Sequence, residues 1–94
     1  MNKLDPLFPL GQIVATPNAL DALVRHGIQP SELIDRHVCG DWGELPSEDI
    51  KANDAALKNG ERLLSSYPLG RGVKVWIITE WDRSSTTLLM PEDY

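Results

Sequence analysis

Two hydrophobic periods run along this chain, a helical one before residue 60 and an alternating one after it. Gln12-Ile13-Val14-Ala15 is a short apolar run that Thr16-Pro17 interrupts, which predicts a brief strand. Thr16 is placed to cap a helix and Pro17 to take its first turn, where a missing N–H costs nothing. Ala19, Leu20, Leu23 and Val24 then fall on one helical face, and Gly27 is the expected left-handed terminator. A second helix is predicted from Pro30-Ser31-Glu32, with Gln29 or Ser31 as its cap, an apolar stripe of Leu33, Ile34, His37 and Val38, and Gly40 at its end. Asp41 to Pro46 reads as a turn-rich link. Ser47 is the expected cap of a third helix, with Glu48 and Asp49 near the positive end of its dipole, Ile50, Asn53, Ala56 and Leu57 facing inward, and Asn59-Gly60 closing it.

Beyond Glu61 three alternating stretches, 62–67, 73–81 and 85–90, predict strands joined by Pro68-Leu69-Gly70-Arg71-Gly72 and by a tight turn at Asp82-Arg83-Ser84. The middle stretch has apolar residues on both faces, so it belongs in the centre of the sheet. The expected fold class is α+β: one short N-terminal strand that joins a sheet edge, three helices, then a three-stranded antiparallel meander with the helices packed on one face. The whole chain, 1–94, reads as a single domain whose residues 1–10 form an extended arm.

Composition narrows the function classes. The 94 residues are 41% hydrophobic and 24% charged, values typical of a folded domain. No run approaches the roughly 18 apolar residues needed to span a bilayer, and Cys39 is the single cysteine, so the expectation is a cytoplasmic protein without an intramolecular disulfide. The formal charge of −5 argues against direct nucleic-acid binding through a general positive field.

Several constellations invite chemistry. His37, Cys39 and Asp41, with His26, are candidate metal ligands by type, yet His37 and Cys39 stand about 200° apart around a helix and so point to different sides. The same geometry opposes a Cys39 nucleophile with His37 as base; a packed or hydrogen-bonding histidine and a small buried cysteine are the simpler readings. Without a glycine-rich phosphate cradle, nucleotide binding has no motif. Trp42 is expected to plug the junction of the second and third helices against the sheet, the alternative being an exposed anchor for a partner. Asn53, inside an apolar stripe, is expected to bond backbone rather than a ligand. Glu80, Trp81, Asp82 and Arg83 gather at the second hairpin, and Asp41, Glu44, Glu48, Asp49 and Asp54 outnumber Lys51 in one acidic window.

Gly40-Asp41-Trp42-Gly43, the run Trp76 to Thr87 and the ending Pro91-Glu92-Asp93-Tyr94 resemble a family of short bacterial proteins commonly labelled plasmid-related and sometimes labelled a type I restriction methyltransferase subunit. That resemblance implies a mobile-element association and supplies no catalytic residue: the chain has neither an Asn-Pro-Pro-Tyr-type motif nor a glycine-rich cofactor loop. The element order is also similar to that of the RelE/ParE toxin superfamily, which implies a ribonuclease with Arg62, Arg71, Lys74 and Arg83 as its basic residues, and Tyr94 beside Arg62, Lys74 and Arg83 as candidates for transition-state stabilisation and proton transfer.

The leading expectation is a non-enzymatic acidic module that binds another protein, a basic nucleic-acid-binding one, through Asp41, Trp42, Glu44, Glu48, Asp49, Glu80, Trp81, Asp82 and Arg83, with no cofactor, metal or membrane. The alternatives are the toxin-like ribonuclease and a homodimeric structural domain in which an uncovered sheet edge pairs with a second copy.

Overall fold

The computed structural model describes residues 5–94; the first four residues of the expected arm, 1–4, lie outside the described residues. In chain order these residues form β1 (Gln12–Ala15), α1 (Pro17–Arg25), α2 (Pro30–Val38), α3 (Ser47–Asn59), β2 (Leu63–Gly70), β3 (Val73–Thr79), β4 (Ser85–Leu89) and a closing 3₁₀ turn at Pro91–Asp93. The α+β class follows, but the sheet is four-stranded and mixed, in the order β1-β4-β3-β2. The meander supplies the antiparallel β2–β3 and β3–β4 pairs, and β1 adds a parallel pair on β4, with Ile13 beside Thr86 and Ala15 beside Leu88. Parallel entry is set by the arm. Gly11, at φ +65°, lies so close to the β3–β4 turn that a Cβ there would stand 2.4 Å from the Ser84 carbonyl carbon, and the chain leaves it alongside β4 with Gln12 N–H donating to Ser84 O.

Helix starts obey local chemistry. Thr16 Oγ accepts the Ala19 N–H at 3.1 Å with Pro17 in the first turn. At α2 the cap is Gln29, whose N–H donates to the Glu32 carboxylate at 2.9 Å. At α3 the cap position belongs to Pro46, and Ser47 is already helical with no capping side-chain bond, so the expected Ser47 cap is displaced by one residue. Asp93 ties the chain's end to α1: its carboxylate accepts from Thr16 Oγ at 2.7 Å and Asn18 Nδ2 at 2.8 Å, bonds that hold its pKa below the usual carboxylate range.

One sheet face carries the core. Leu63, Ser65 and Tyr67 of β2, Val75, Ile77 and Thr79 of β3, and Thr86 and Leu88 of β4 all point to it and are essentially inaccessible. Ala19, Ala22 and Leu23 of α1 and Leu33 of α2 close one half of this layer, while Phe8, Val38, Trp42, Ala56 and Leu63 form the other half. Each large apolar side chain so buried contributes about 1.5–3 kcal/mol. α1 therefore meets the sheet through Ala19, Ala22 and Leu23, and Leu20 and Val24, expected inside with Ala19 and Leu23, stand exposed. Ile50 of α3, also expected inside, is exposed as well, while Asn53 and Ala56 of the same stripe are buried.

The outer edge of β2 is occupied at Leu64 and Ser66, two of the residues that face away from β3. Asn53 of α3 mimics a neighbouring strand: its Oδ1 accepts the Leu64 N–H at 3.1 Å and its Nδ2 donates to Leu64 O at 2.7 Å. Ser66 gives its N–H to Trp42 O at 3.0 Å and accepts from Glu44 N–H at 2.7 Å. Gly43 sits against Ser66 at φ +77°, where a Cβ would stand 2.1 Å from the Ser66 oxygen. The next outward position is Pro68, which has no N–H to offer. β1 forms the other edge, and no described strand covers it.

Candidate functional site

The interior holds one polar chain, and it is sealed. His37 and Ser65 are both 0% exposed. Thr86 Oγ1 donates to Leu10 O at 2.7 Å, so its proton is committed and it accepts from Thr79 Oγ1 at 2.7 Å. Thr79 in turn accepts from His37 Nε2 at 2.9 Å, which leaves Nδ1 as the acceptor for Ser65 Oγ at 2.6 Å. The imidazole is thus the neutral Nε2–H tautomer, and burial, with a smaller contribution from the positive charge of Arg83, pushes its pKa down to about 4. Serine bonded to a histidine nitrogen is the pairing of a nucleophile and its base, yet here Phe8 and Trp42 pack edge-on against the imidazole at centroid distances of 5.3 and 5.6 Å and the dyad has no path to solvent. Its work is to join α2, three strands and the arm.

The nine residues expected to bind a partner divide into four groups. Trp42 is 5% exposed and plugs the second half of the core, as the simpler reading of it holds. Asp41 is bound at home: Arg36 Nε lies 2.7 Å from Oδ2, Oδ1 accepts the Gly43 N–H at 3.2 Å, and the arginine beside it holds the carboxyl below its ordinary pKa. Its carbonyl also accepts the Tyr67 hydroxyl at 2.6 Å, and burial raises the Tyr67 pKa. Glu44, Glu48 and Asp49 stay exposed around the start of α3.

The remaining four residues form the β3–β4 turn, at the opposite end of α3. Thirteen residues at about 1.5 Å each put roughly 20 Å between the two ends, so the acidic window and the hairpin are separate surfaces. Arg83 organises the hairpin. It has a left-handed φ of 59°, and its guanidinium fans over backbone carbonyls: Nη1 donates to Glu61 O at 2.5 Å, Glu80 O at 3.0 Å and Trp81 O at 3.4 Å, and Nη2 to Ala56 O at 3.0 Å. Ala56 and Glu61 belong to the C-terminal end of α3 and the segment after it, where a cation also complements the helix dipole. Asp82 accepts the Ser84 N–H at 3.1 Å, and its bonds from Ser84 hold its pKa below the ordinary value. With both neighbours committed to the turn, Trp81 stands out at 66% exposure. The sequence marked this cluster as chemistry-bearing; its fixed tip with a projecting indole required the carbonyl fan, which spans 27 positions and has no local signal.

The helix-free sheet face gathers a second set. Arg62 Nη1 donates to the Tyr94 hydroxyl at 2.6 Å, its guanidinium carbon lies 5.8 Å from the Tyr94 ring centroid, and Tyr94 meets Trp76 edge-on at 5.9 Å. Glu80 stands 3.8 Å from Arg62 Nε. Of the residues implied by the toxin resemblance, Arg62 and Tyr94 are brought together, Lys74 is exposed on the same face of β3 as Trp76, and Arg83 is committed to its carbonyls. No cluster of His, Cys, Asp and Glu among the described residues is placed to hold a metal, and Cys39 is half-buried rather than buried. No helix among them is long and apolar enough to cross a membrane.

Compared with protein-family models, with curated proteins and with solved structures, the chain finds no match in any of the three.

Proposed function

We propose that this chain is an acidic protein-binding module that engages its partner with the β3–β4 hairpin. The observation that carries the reading is Trp81, a large exposed indole on a turn that Arg83 pins to the end of α3. Rigidly held tryptophans are the side chains that dominate interface energetics, since they bury a large apolar area with little rotamer entropy to lose. Glu80 and Asp82 flank the tryptophan in sequence, Glu80 standing 3.8 Å from Arg62 Nε and Asp82 exposed, so the complementary surface is an apolar pocket with cations on its rim. A basic, nucleic-acid-binding protein offers such a rim, and the resemblance to plasmid-related proteins suggests a target met on a mobile element.

The test is capture of partners from a bacterial host lysate by the wild-type chain and by Trp81→Ala, at low and high salt. A stoichiometric basic partner, weakened by salt and lost with Trp81→Ala while the melting temperature stays unchanged, supports the reading. Equal capture by both forms refutes it. A second reading, a toxin-like ribonuclease, is favoured by the Arg62–Tyr94 contact beside Trp76 on the helix-free face. It requires growth arrest on expression that Arg62→Ala relieves.

A further inference from the structure

The two edges of the sheet are treated in opposite ways. Outward-facing positions of β2 are blocked by Asn53, by the Trp42–Glu44 segment and by Pro68, whereas β1 is left open with Ile13 48% and Val14 40% exposed on its two faces. Gln12 and Thr16 donate their N–H groups to Ser84 and Leu88, so the even-numbered residues of β1 face β4. Ile13 and Ala15 therefore turn their N–H and C=O groups outward. Exposed edges are normally protected by charge, lysine above all. Here the stretch from Pro6 to Leu20 contains no charged residue at all in a chain of net charge −5.

We propose that β1 pairs antiparallel with β1 of a second copy across a two-fold axis that passes between the two Val14 residues. Edge chemistry fixes this register. Ile13 of each copy lies opposite Ala15 of the other, the two exchanging backbone hydrogen bonds on the helix-bearing face, while Val14 meets Val14 as the non-hydrogen-bonded pair on the helix-free face. Shifting the axis to Ile13 would bring Gly11 into the ladder, and Gly11 is held at φ +65° against Ser84, outside strand geometry. Charge selects the occupant. A basic partner seeks carboxylates, and this edge has none; two acidic copies repel wherever like surfaces meet, and the uncharged stretch is where they approach without that cost. The pairing continues the two sheets into one and does not depend on Trp81.

Sedimentation equilibrium of the full chain, run over a wide concentration range, gives the first readout. The expected result is twice the chain mass, with Val14→Lys weakening self-association tenfold or more and Trp81→Ala leaving it unchanged. The second readout places one cysteine at a time in the Cys39→Ser background. Directly opposed non-hydrogen-bonded residues have Cα atoms about 4.5 Å apart, within disulfide reach, so Val14→Cys should oxidise to a covalent dimer about ten times faster than Gln12→Cys. A monomer at all concentrations overturns the proposal, as does a dimer that Val14→Lys leaves intact, or equal oxidation rates at the two positions. A monomer that instead captures a different protein through β1 also overturns it, since the edge then serves a foreign strand.

Discussion

Acid should destabilise this fold in a window that one side chain defines. His37 is inaccessible, neutral and bonded at both ring nitrogens, and its folded pKa is about 4 against an ordinary 6.5. Protonation puts a second hydrogen on Nδ1, aimed at Ser65 Oγ, whose own proton already occupies that bond, and places the new charge in the field of Arg83. Above pH 6.5 the histidine is neutral whether the chain is folded or not, and stability is complete. As pH falls from 6.5 towards 4, the unfolded chain binds a proton that the folded chain refuses, so stability drops by up to about 1.4 kcal/mol per pH unit. Below pH 4 both states are protonated and the loss levels off at about 3 kcal/mol. Asp41, Asp82 and Asp93, all held below their ordinary carboxylate pKa, begin to add their losses only from about pH 5 downward, so the upper part of the window belongs to His37 and the comparison with a non-titrating variant isolates it below that. Urea unfolding at pH 7, 6, 5 and 4.5 measures the slope for the wild type and for His37→Gln, which keeps an amide donor and acceptor but does not titrate. The wild type should lose about 2 kcal/mol or more relative to the variant across this range, and the His37 imidazole resonances should stay unshifted to below pH 5. Parallel curves, or an imidazole that titrates near 6.5 in the folded protein, would refute the sealed-relay reasoning.

Two further perturbations probe the edge and the hairpin. Asn53→Leu removes the side chain that stands in for a strand beside Leu64; two lost hydrogen bonds on a largely buried edge cost about 2 kcal/mol in urea unfolding, and light scattering should show aggregation that the wild type lacks, because β2 is now open. Arg83→Lys keeps the charge but cannot fan over the carbonyls of Ala56, Glu61, Glu80 and Trp81, so it should cost about 1–3 kcal/mol and loosen the turn, read as faster exchange of the Glu80 and Arg83 amides, which donate to Ser85 O and Glu80 O.

What the sequence made legible was local chemistry. Thr16-Pro17 and Gly60 mark helix ends at the positions the structure shows, because capping depends on residues within one turn. The strands after Glu61 were visible from alternation, with ends shifted by a few residues where a bulge between Pro68 and Gly70 prolongs β2 and the turn at Glu80 shortens β3. The inward face of α1 was legible in part: Ala19 and Leu23 are buried as expected, but Leu20 and Val24 carry the hydropathy stripe outward, while Ala22, weaker by that measure, lies in the core cluster with Leu88 and Met90. Alternation likewise reports that Gln12 to Ala15 forms a strand without reporting its direction, since parallel entry depends on Gly11 fitting against Ser84, far along the chain. Trp42 as a plug and His37 as a bonded histidine were legible by residue type. Their partners were not: Ser65, Thr79 and Thr86 are polar residues of the kind an alternating strand normally shows to water, and only the sheet register reveals that all three share the buried face.

The two proposed contacts reinforce each other through symmetry. Trp81 belongs to the turn from which β4 sets out, at the end of the sheet where β1 also begins, as the Gln12–Ser84 hydrogen bond shows. An axis between the two Val14 residues reverses one copy relative to the other, so the two hairpins come to lie at opposite ends of a continuous sheet. A partner with a single pocket then gains nothing from the dimer. A partner that is itself repeated, such as a dimeric nucleic-acid-binding protein whose two halves are spaced to match, meets two indoles held in fixed relation, and its second contact becomes intramolecular, with an effective concentration set by the rigidity of the sheet and the pinned turns. Each interface then does a different kind of work. In the proposed assembly, backbone pairing at an uncharged edge would set the spacing and the indole with its flanking carboxylates the specificity, while the sealed His37 relay joins β2, β3, β4 and the arm in the register on which that spacing would depend.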